Sequence, residues 1–145
     1  MITKIISINL KEISMIDNSE NLNIDGDTLV VAVNFKMEDL KFSKKNDFFV
    51  AHTIMNIHIV EENKLKDNHS DIDVENALTT TRAVLKLTFN ADISLDEINE
   101  DSTTRKKLEK EISDVLEPHY RELITTIYSK SQLEVPPLPY GILRK

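Results

Sequence analysis

Hydrophobic and polar residues alternate along four stretches of the chain, and each stretch predicts a β-strand. The strands are expected at about residues 2–16, 28–42, 48–60 and 79–94, because a period of two places successive side chains on opposite faces of a sheet. The apolar side chains predicted to share the buried face are, strand by strand, Ile2, Ile6, Ile8 and Leu10; Leu29, Val31, Val33, Phe35 and Met37; Phe49, Ala51, Met55, Ile57 and Ile59; and Ala83, Leu85, Leu87, Phe89, Ala91 and Ile93. Ile13 and Ile16 interrupt the alternation, so a β-bulge is expected near the end of the first strand.

The C-terminal third of the chain has a helical period. Its apolar stripe recurs at three- and four-residue intervals and consists of Leu108, Ile112, Val115, Leu116, Tyr120, Leu123, Ile124 and Ile127. The stripe predicts a helix over about residues 102–131 that continues through Pro118, with Asp101, Ser102 or Thr103 as its cap. Because three prolines follow between residues 136 and 139, residues 132–145 are predicted to form an extended tail.

These elements predict an α+β fold: one domain over residues 1–145, with a four-stranded antiparallel meander followed by a long C-terminal helix. The acidic residues 96–101 are interpreted as the connection between sheet and helix. A helix about 10 Å wide cannot cover four strands that lie about 4.8 Å apart, and long unpaired edge strands invite association. The protein is therefore expected to be a homo-oligomer.

Charge and composition narrow the possible partners. The net charge of -7 is unfavourable for binding nucleic acid or inserting into an anionic membrane surface, although it also simply favours solubility. Without cysteine there is no disulfide, thiolate zinc site or cysteine nucleophile. The N-terminus alternates like a strand and is not interpreted as a signal peptide, and no apolar run is long enough to span a membrane. The expected location is cytoplasmic.

Candidate catalytic and metal-binding groups are sparse. His52 and His58 lie six residues apart on one predicted strand, and His119 and Glu122 form a single i, i+3 pair. The acidic segment 67–75 lacks the central glycine and fixed spacing of an EF-hand loop. There is no glycine-rich phosphate loop and no nucleophile elbow. We therefore expect neither an enzyme nor a bound cofactor or metal.

An apolar cluster flanks the second predicted hairpin and is the best candidate for a binding site. Its members are Phe35, Met37, Leu40, Phe42 and Phe48. Most such residues belong to a core, but burial is difficult to complete at one end of a small sheet, and exposed apolar surface often marks a binding site. Methionine and aromatic side chains also suit a surface that accepts varied apolar segments.

Two motifs resemble the SecB protein-export chaperones and their SecB-like relatives. The segment Pro118-x-x-Arg121-Glu122-x-Ile124-Thr125-x-x-x-Ser129-Lys130, followed by Pro137, is similar to the family's Pro-Tyr-Ala-Arg-Glu-x-Ile motif and its proline-containing continuation. Leu10-Lys11-Glu12-Ile13-Ser14-Met15 is similar to the family's Lys-Asp-Ile-Ser-Phe stretch. The order of four long strands and then a helix also fits.

The resemblance implies a dimer, or a dimer of dimers, that holds unfolded polypeptides in long apolar grooves. Some relatives serve the export motor SecA and others serve toxin–antitoxin pairs. On this basis the hairpin cluster would bind clients, and Leu138, Tyr140 and Ile142 would line the same groove. Glu12 and Asp17 would contribute to a partner-facing acidic surface.

The sequence departs from the family pattern at three places. A further helix follows the proline-rich exit in SecB proteins, whereas here only residues 140–145 follow it. The exit itself is about two residues longer, and a second acidic position of the family falls at Ile16 beside Asp17. Two functions stay open. One is a SecB-like chaperone for unfolded polypeptides, with protein export as one setting, and the other is an adaptor for one dedicated partner such as an antitoxin.

Overall fold

The computed structural model describes residues 1–17, 29–61 and 77–129. Its elements, in chain order, are β1 Ile2–Asp17, β2 Leu29–Ser43, β3 Phe48–Glu61, β4 Thr79–Ala91, α1 Leu95–Glu100 and α2 Ser102–Tyr128. The predicted fold class, a four-stranded antiparallel sheet followed by a long helix, is confirmed. The end of the predicted helix at residues 130 and 131 and the predicted tail 132–145 lie outside the described residues.

The strand order differs from a simple meander. The sheet runs β1-β4-β3-β2 with every pair antiparallel, so β1 lies beside β4 and has no pairing with β2. Three consecutive strands form a meander and the first strand packs beside the last, which is a Greek-key order. Alternation identifies the faces of each strand but not its neighbours. In the described sheet, β1 and β2 are the edges.

Register shifts change which side chains of the edge strands face the helix. In β1 the register shifts between Ile2 and Lys4, between Ile5 and Ser7, and between Leu10 and Glu12. The bulge expected at Ile13 and Ile16 is absent, because the pairing is regular from Glu12 to Asp17; all three shifts lie earlier in β1. As a result Ile5, paired with Phe89, lies on the helix-facing side, whereas the prediction had assigned Ile6 to that side.

A short helix replaces the predicted connection after the sheet. β4 ends at Ala91, earlier than the predicted residue 94, because Ser94 caps α1 and its hydroxyl accepts a hydrogen bond from the Glu97 amide at 3.2 Å. Asp101 then ends α1 and caps α2, accepting the Thr103 amide at 3.0 Å. The hydrogen bond from the Thr104 hydroxyl lowers the pKa of Asp101.

The long helix α2 packs its predicted stripe against the centre of the sheet. The fully buried residues of this stripe are Leu108, Ile112, Leu116, Tyr120 and Ile124, while Val115, Leu123 and Ile127 are partly buried. The helix-facing residues at the centre of β3 and β4 are buried, whereas those of β2 are partly buried and those of β1 are partly buried or exposed. One helix therefore covers the two central strands and leaves both edges incompletely covered.

Two tyrosines fix α2 over the central strands. The Tyr120 hydroxyl donates to the Thr53 carbonyl at 3.1 Å and lies 2.7 Å from the Thr53 hydroxyl, which donates to the Leu85 carbonyl. The Thr81 hydroxyl donates to the Tyr128 hydroxyl at 3.0 Å. Burial raises the pKa of Tyr120 to about 12 and also raises the pKa of Tyr128. Both phenols therefore stay neutral and act as hydrogen-bonding anchors at neutral pH.

Candidate functional site

The apolar residues of β2 form a continuous half-buried surface beside α2. We define the β2 flank as Val31, Val33, Phe35, Met37, Leu40 and Phe42, which all pack against the edge of the core. Met37 pairs with Thr53, Leu40 with Ala51 and Phe42 with Phe49. A register shift between Met37 and Asp39 makes Glu38 an extra residue, so even-numbered Leu40 shares a face with odd-numbered Met37.

Aromatic contacts join the β2 flank to the core. The Phe35 and Tyr120 rings meet edge to face with centroids 6.1 Å apart. The Phe42 and Phe49 rings lie 4.8 Å apart at an angle of 53°. Four predicted client-binding residues, Phe35, Met37, Leu40 and Phe42, are thus brought together, each half-buried. They support the core with one side while leaving the other side accessible.

Phe48 does not belong to this surface. It begins β3 opposite Ser43 and precedes the buried Phe49, so it lies on the other face of the sheet from the β2 flank. The predicted cluster places Phe48 beside Phe35 and Phe42 while Phe49 is predicted on the buried face, and consecutive residues of a strand point to opposite faces. The three predicted tail residues Leu138, Tyr140 and Ile142 lie outside the described residues.

A second apolar surface lies along β1. We define the β1 flank as the helix-facing residues Ile2, Ile5, Ile8, Leu10, Ile13 and Met15. Ile5 is 41% exposed and Leu10 is 47% exposed, although they pair with the buried residues Phe89 and Leu85. These exposures are unusual for large aliphatic side chains on the core-facing side of a sheet.

An open groove of about 410 Å³ separates the start of β1 from α2. Ile5 and Val115 contribute apolar walls, and Glu111 and Asp114 contribute acidic groups on the helix side. The Glu111 carboxylate accepts the Ile2 amide at 3.3 Å, which ties the first residues of β1 to α2. Alternation places the isoleucines of the first strand in the core and therefore does not predict this groove. The available signal is that the first strand has more isoleucines than one buried face of an alternating strand requires.

The predicted acidic surface is divided between the two faces of the sheet. Glu12 pairs with Val84 and lies on the face away from α2, where the Arg82 guanidinium is 3.3 Å from its carboxylate. Asp17 pairs with the buried Thr79, which belongs to the helix-facing side. The two carboxylates therefore do not share one face, and Glu12 is engaged with a cation of its own chain.

The histidines lie in separate polar contacts. His52 Nδ1 is 2.8 Å from an Asp39 carboxylate oxygen, and His58 Nδ1 is 3.2 Å from the Thr80 hydroxyl. Burial lowers the pKa of His58, so its imidazole is neutral at pH 7. His119 is exposed on α2. Among residues 1–17, 29–61 and 77–129, no three histidine or acidic side chains are placed to hold a metal ion.

Comparison with known proteins supports the fold at the level of three-dimensional structure. No protein-family model and no curated protein sequence matches the chain. Among solved structures, it is similar to the SecB-like chaperone Rv1957 of Mycobacterium tuberculosis, solved in complex with a ChAD peptide from the HigA1 antitoxin, with a TM-score of 0.60 and 14% sequence identity. The similarity covers 94% of this chain and 88% of that chain. The chain has a SecB-like fold.

In the SecB-like fold the β1 flank and the β2 flank lie on the same face of the sheet, one on each side of α2. A sheet of four long strands carries one long helix, and the apolar strips on either side of that helix are the β1 flank and the β2 flank. No helix in the described part of the chain is both long and apolar enough to cross a membrane. The SecB-like fold therefore presents its incompletely buried apolar residues beside the helix, at the two edges of the sheet.

Proposed function

We propose that this protein is a non-catalytic chaperone that binds unfolded or partly folded polypeptides along the β1 and β2 flanks. The observation that carries the proposal is that α2 covers the sheet incompletely. Large aliphatic and aromatic residues on the same face as the core remain half-buried or exposed. Contact with an apolar segment would remove this surface from water, and each buried aliphatic or aromatic side chain contributes about 1.5–3 kcal/mol.

The shape of the flanks favours an extended ligand. The β1 flank extends from Ile2 to Met15 and the β2 flank from Val31 to Phe42, so the flanks run for roughly 35–45 Å along their strands. A strip of that length and of the width of one edge strand fits an unfolded segment better than it fits a compact small molecule. The free edges of β1 and β2 in the described sheet could also offer backbone hydrogen bonds to such a segment.

A second candidate is an adaptor that serves one dedicated partner without general chaperone activity. The similar mycobacterial protein was solved with a peptide from an antitoxin, and that peptide complex favours recognition of a particular segment. A corresponding partner for the present protein would be an antitoxin or another chain with a persistently unfolded apolar segment. Capture of only one segment type would distinguish this candidate from a general chaperone.

A homo-oligomer, either a dimer or a tetramer, is part of the proposal. β1 is an edge of the described sheet and carries the exposed aliphatic side chains Ile5, Ile6 and Leu10, and such an edge favours pairing with another chain. A role in export through SecA rests on the sequence resemblance alone. The separation of Glu12 from Asp17 onto opposite faces gives that role no additional support.

The test is capture of a urea-unfolded client, followed by light scattering and by size exclusion coupled to mass measurement. The proposal expects a stable oligomer that suppresses aggregation at stoichiometric concentration and elutes with the client. Substitution Ile5→Glu places a charge in the β1 flank and should weaken client capture about tenfold or more, since it replaces apolar burial by desolvation of a carboxylate.

A matched control is Ile16→Glu. Ile16 is 59% exposed and pairs with Thr80 on the face away from α2, so the same substitution there should leave client capture unchanged. Equal losses in both variants, or no capture by the unsubstituted protein, would contradict the chaperone proposal. Capture of a single antitoxin-like segment with no effect on general aggregation would instead favour the dedicated adaptor.

A further inference from the structure

The face of the sheet away from α2 has a charge balance opposite to that of the whole chain. We define the outer face by four cross-strand rows: Lys41-Val50-Thr88-Ser7, Asp39-His52-Lys86-Asn9, Lys36-Ile54-Val84-Glu12 and Asn34-Asn56-Arg82-Ser14. These rows contain the cations Lys36, Lys41, Arg82 and Lys86 but only the carboxylates Glu12 and Asp39. The bulged residues Lys11 and Glu38 add one charge of each sign. The chain as a whole has a net charge of -7.

Both carboxylates of the outer face already have partners on the same face. Glu12 lies 3.3 Å from Arg82, and Asp39 lies 2.8 Å from His52. Lys36, Lys41 and Lys86 form no ion pair with another residue in the described ranges. With histidine counted as neutral, as in the net charge of the chain, the four rows carry four cations and two carboxylates, a surplus of two positive charges among the described residues of this face.

The lysines surround an apolar centre. Ile54 and Val84 pair with each other in the middle of the face and are 8% and 7% exposed. Lys36 stands beside Ile54 on β2, and Lys86 stands on β4 in the adjacent row. Lys36 and Lys86 are separated by two strand spacings of about 4.8 Å and by two residues along the strands, so they begin about 12 Å apart. Carboxylates four residues apart on one side of an extended polypeptide, about 13 Å, match this separation.

We propose that the outer face binds an acidic polypeptide segment of a partner protein. The lysines would supply charge complementarity to glutamate and aspartate side chains of the segment. This site is separate from the flanks, which lie on the opposite face of the sheet, and it does not depend on the chaperone proposal. It also reverses the sign of the acidic surface that the family resemblance implied.

A nucleic acid fits this surface less well than an acidic polypeptide. A phosphate backbone carries a dense negative charge and requires many cations in succession, whereas the outer face alternates its lysines with Glu12 and Asp39. The net charge of -7 also repels a long polyanion. An acidic segment of a few residues needs contact with only two or three lysines.

The experiment measures fluorescence anisotropy with a labelled peptide that is rich in glutamate and contains leucine, with the unsubstituted full-length protein as reference. The double variant Lys36→Glu/Lys86→Glu should weaken peptide binding by at least about tenfold, since it reverses two interacting charges. Raising the salt from about 50 mM to about 300 mM should weaken binding to the unsubstituted protein in the same direction.

The matched control is Lys106→Glu/Lys110→Glu, which makes the same change of charge at two exposed positions of α2. It should retain peptide binding, and both double variants should unfold cooperatively in urea with a midpoint close to that of the unsubstituted protein, which shows that they fold. Equal weakening by the two double variants, equal binding of a lysine-rich peptide of the same length, or tighter binding of a labelled single-stranded oligonucleotide would each overturn the proposal.

Discussion

At the residue scale, Tyr120 joins the helix to the sheet. Its ring is fully buried and contacts Phe35, and its hydroxyl reaches the Thr53 carbonyl and hydroxyl on β3. Periodicity correctly placed Tyr120 on the buried stripe of the helix. It did not identify Thr53 as the partner, because a contact between residues 67 positions apart depends on strand order and register.

Substitution Tyr120→Phe should lower the free energy of unfolding at pH 7 by about 1–2 kcal/mol, because the Thr53 carbonyl loses its buried donor. Urea unfolding measures the change. Tyr128→Phe is the comparison: Tyr128 accepts one hydroxyl, from Thr81, and its loss should cost less. An unchanged unfolding midpoint in Tyr120→Phe would show that the hydroxyl contacts make no net contribution.

The same tyrosine gives stability a dependence on alkaline pH. Burial raises the pKa of Tyr120 to about 12 from its ordinary value of 10.0, so the unfolded state loses its proton first. The contribution of Tyr120 to the free energy of unfolding is fully present below pH 10. It is lost between pH 10 and about 12, by up to about 1.4 kcal/mol per pH unit. Tyr120→Phe should therefore have a shallower fall in urea-unfolding free energy across this range; an identical slope would exclude Tyr120 as the titrating group.

At the element scale, one extra residue determines the composition of the β2 flank. Strict alternation predicted the helix-facing side of the second strand only as far as Met37. The register shift at Glu38 extends that side to Leu40 and Phe42. A bulge of this kind has no strong residue signature, since it depends on the pairing strand.

Insertion of one alanine between Asp39 and Leu40 should turn Leu40 and Phe42 toward the outer face, or force β2 into a new register, because it shifts the alternation that follows by one residue. Both side chains are half-buried, so exposing them should lower the free energy of unfolding by roughly 2–3 kcal/mol. Urea unfolding measures this loss, and deletion of Glu38, which leaves Leu40 opposite Ala51, should cost less. An insertion variant as stable as the unsubstituted protein would show that the facing of Leu40 and Phe42 contributes nothing to stability.

The elements themselves were largely predictable, and their arrangement was not. The apolar stripe of α2 and the alternation within β3 and β4 are strong local patterns, so those predictions are confirmed. The short helix α1 was missed even though Ser94 and Glu97 have the spacing of a capping box, because it has only 6 residues and one buried side chain, Ile98. The placement of β1 beside β4 has no local signal at all.

At the scale of the whole molecule, cover by α2 sets a gradient of protection across the sheet. β3 and β4 have neighbours on both sides and buried residues beneath the helix, whereas β1 and β2 are edges of the described sheet. The sequence indicates that one helix is too narrow to cover four strands, because all α-helices have nearly the same width. It does not indicate which strands are left uncovered, because the position of the helix depends on contacts such as that of Tyr120 with Thr53.

Hydrogen exchange should follow this gradient. Amides of β3 and β4 should exchange slowest, and those of the outer halves of β1 and β2 should exchange faster because their backbone groups lie at edges. Addition of an unfolded client should slow exchange in β1 and β2 and leave β3 and β4 nearly unchanged, as measured by mass spectrometry of peptic fragments. Client-induced protection confined to α2 or to the central strands β3 and β4 would contradict binding at the flanks.

The shared cap at Asp101 has a consequence for how this fold can change over time. Because one residue ends α1 and begins α2, there is no spacer in which an inserted or deleted residue could be absorbed. A single insertion would turn α2 by about 100° and carry Leu108, Ile112 and Leu116 away from the sheet. The position of Asp101 therefore sets which face of α2 meets the sheet. Insertions and deletions at this junction should be poorly tolerated as the sequence evolves.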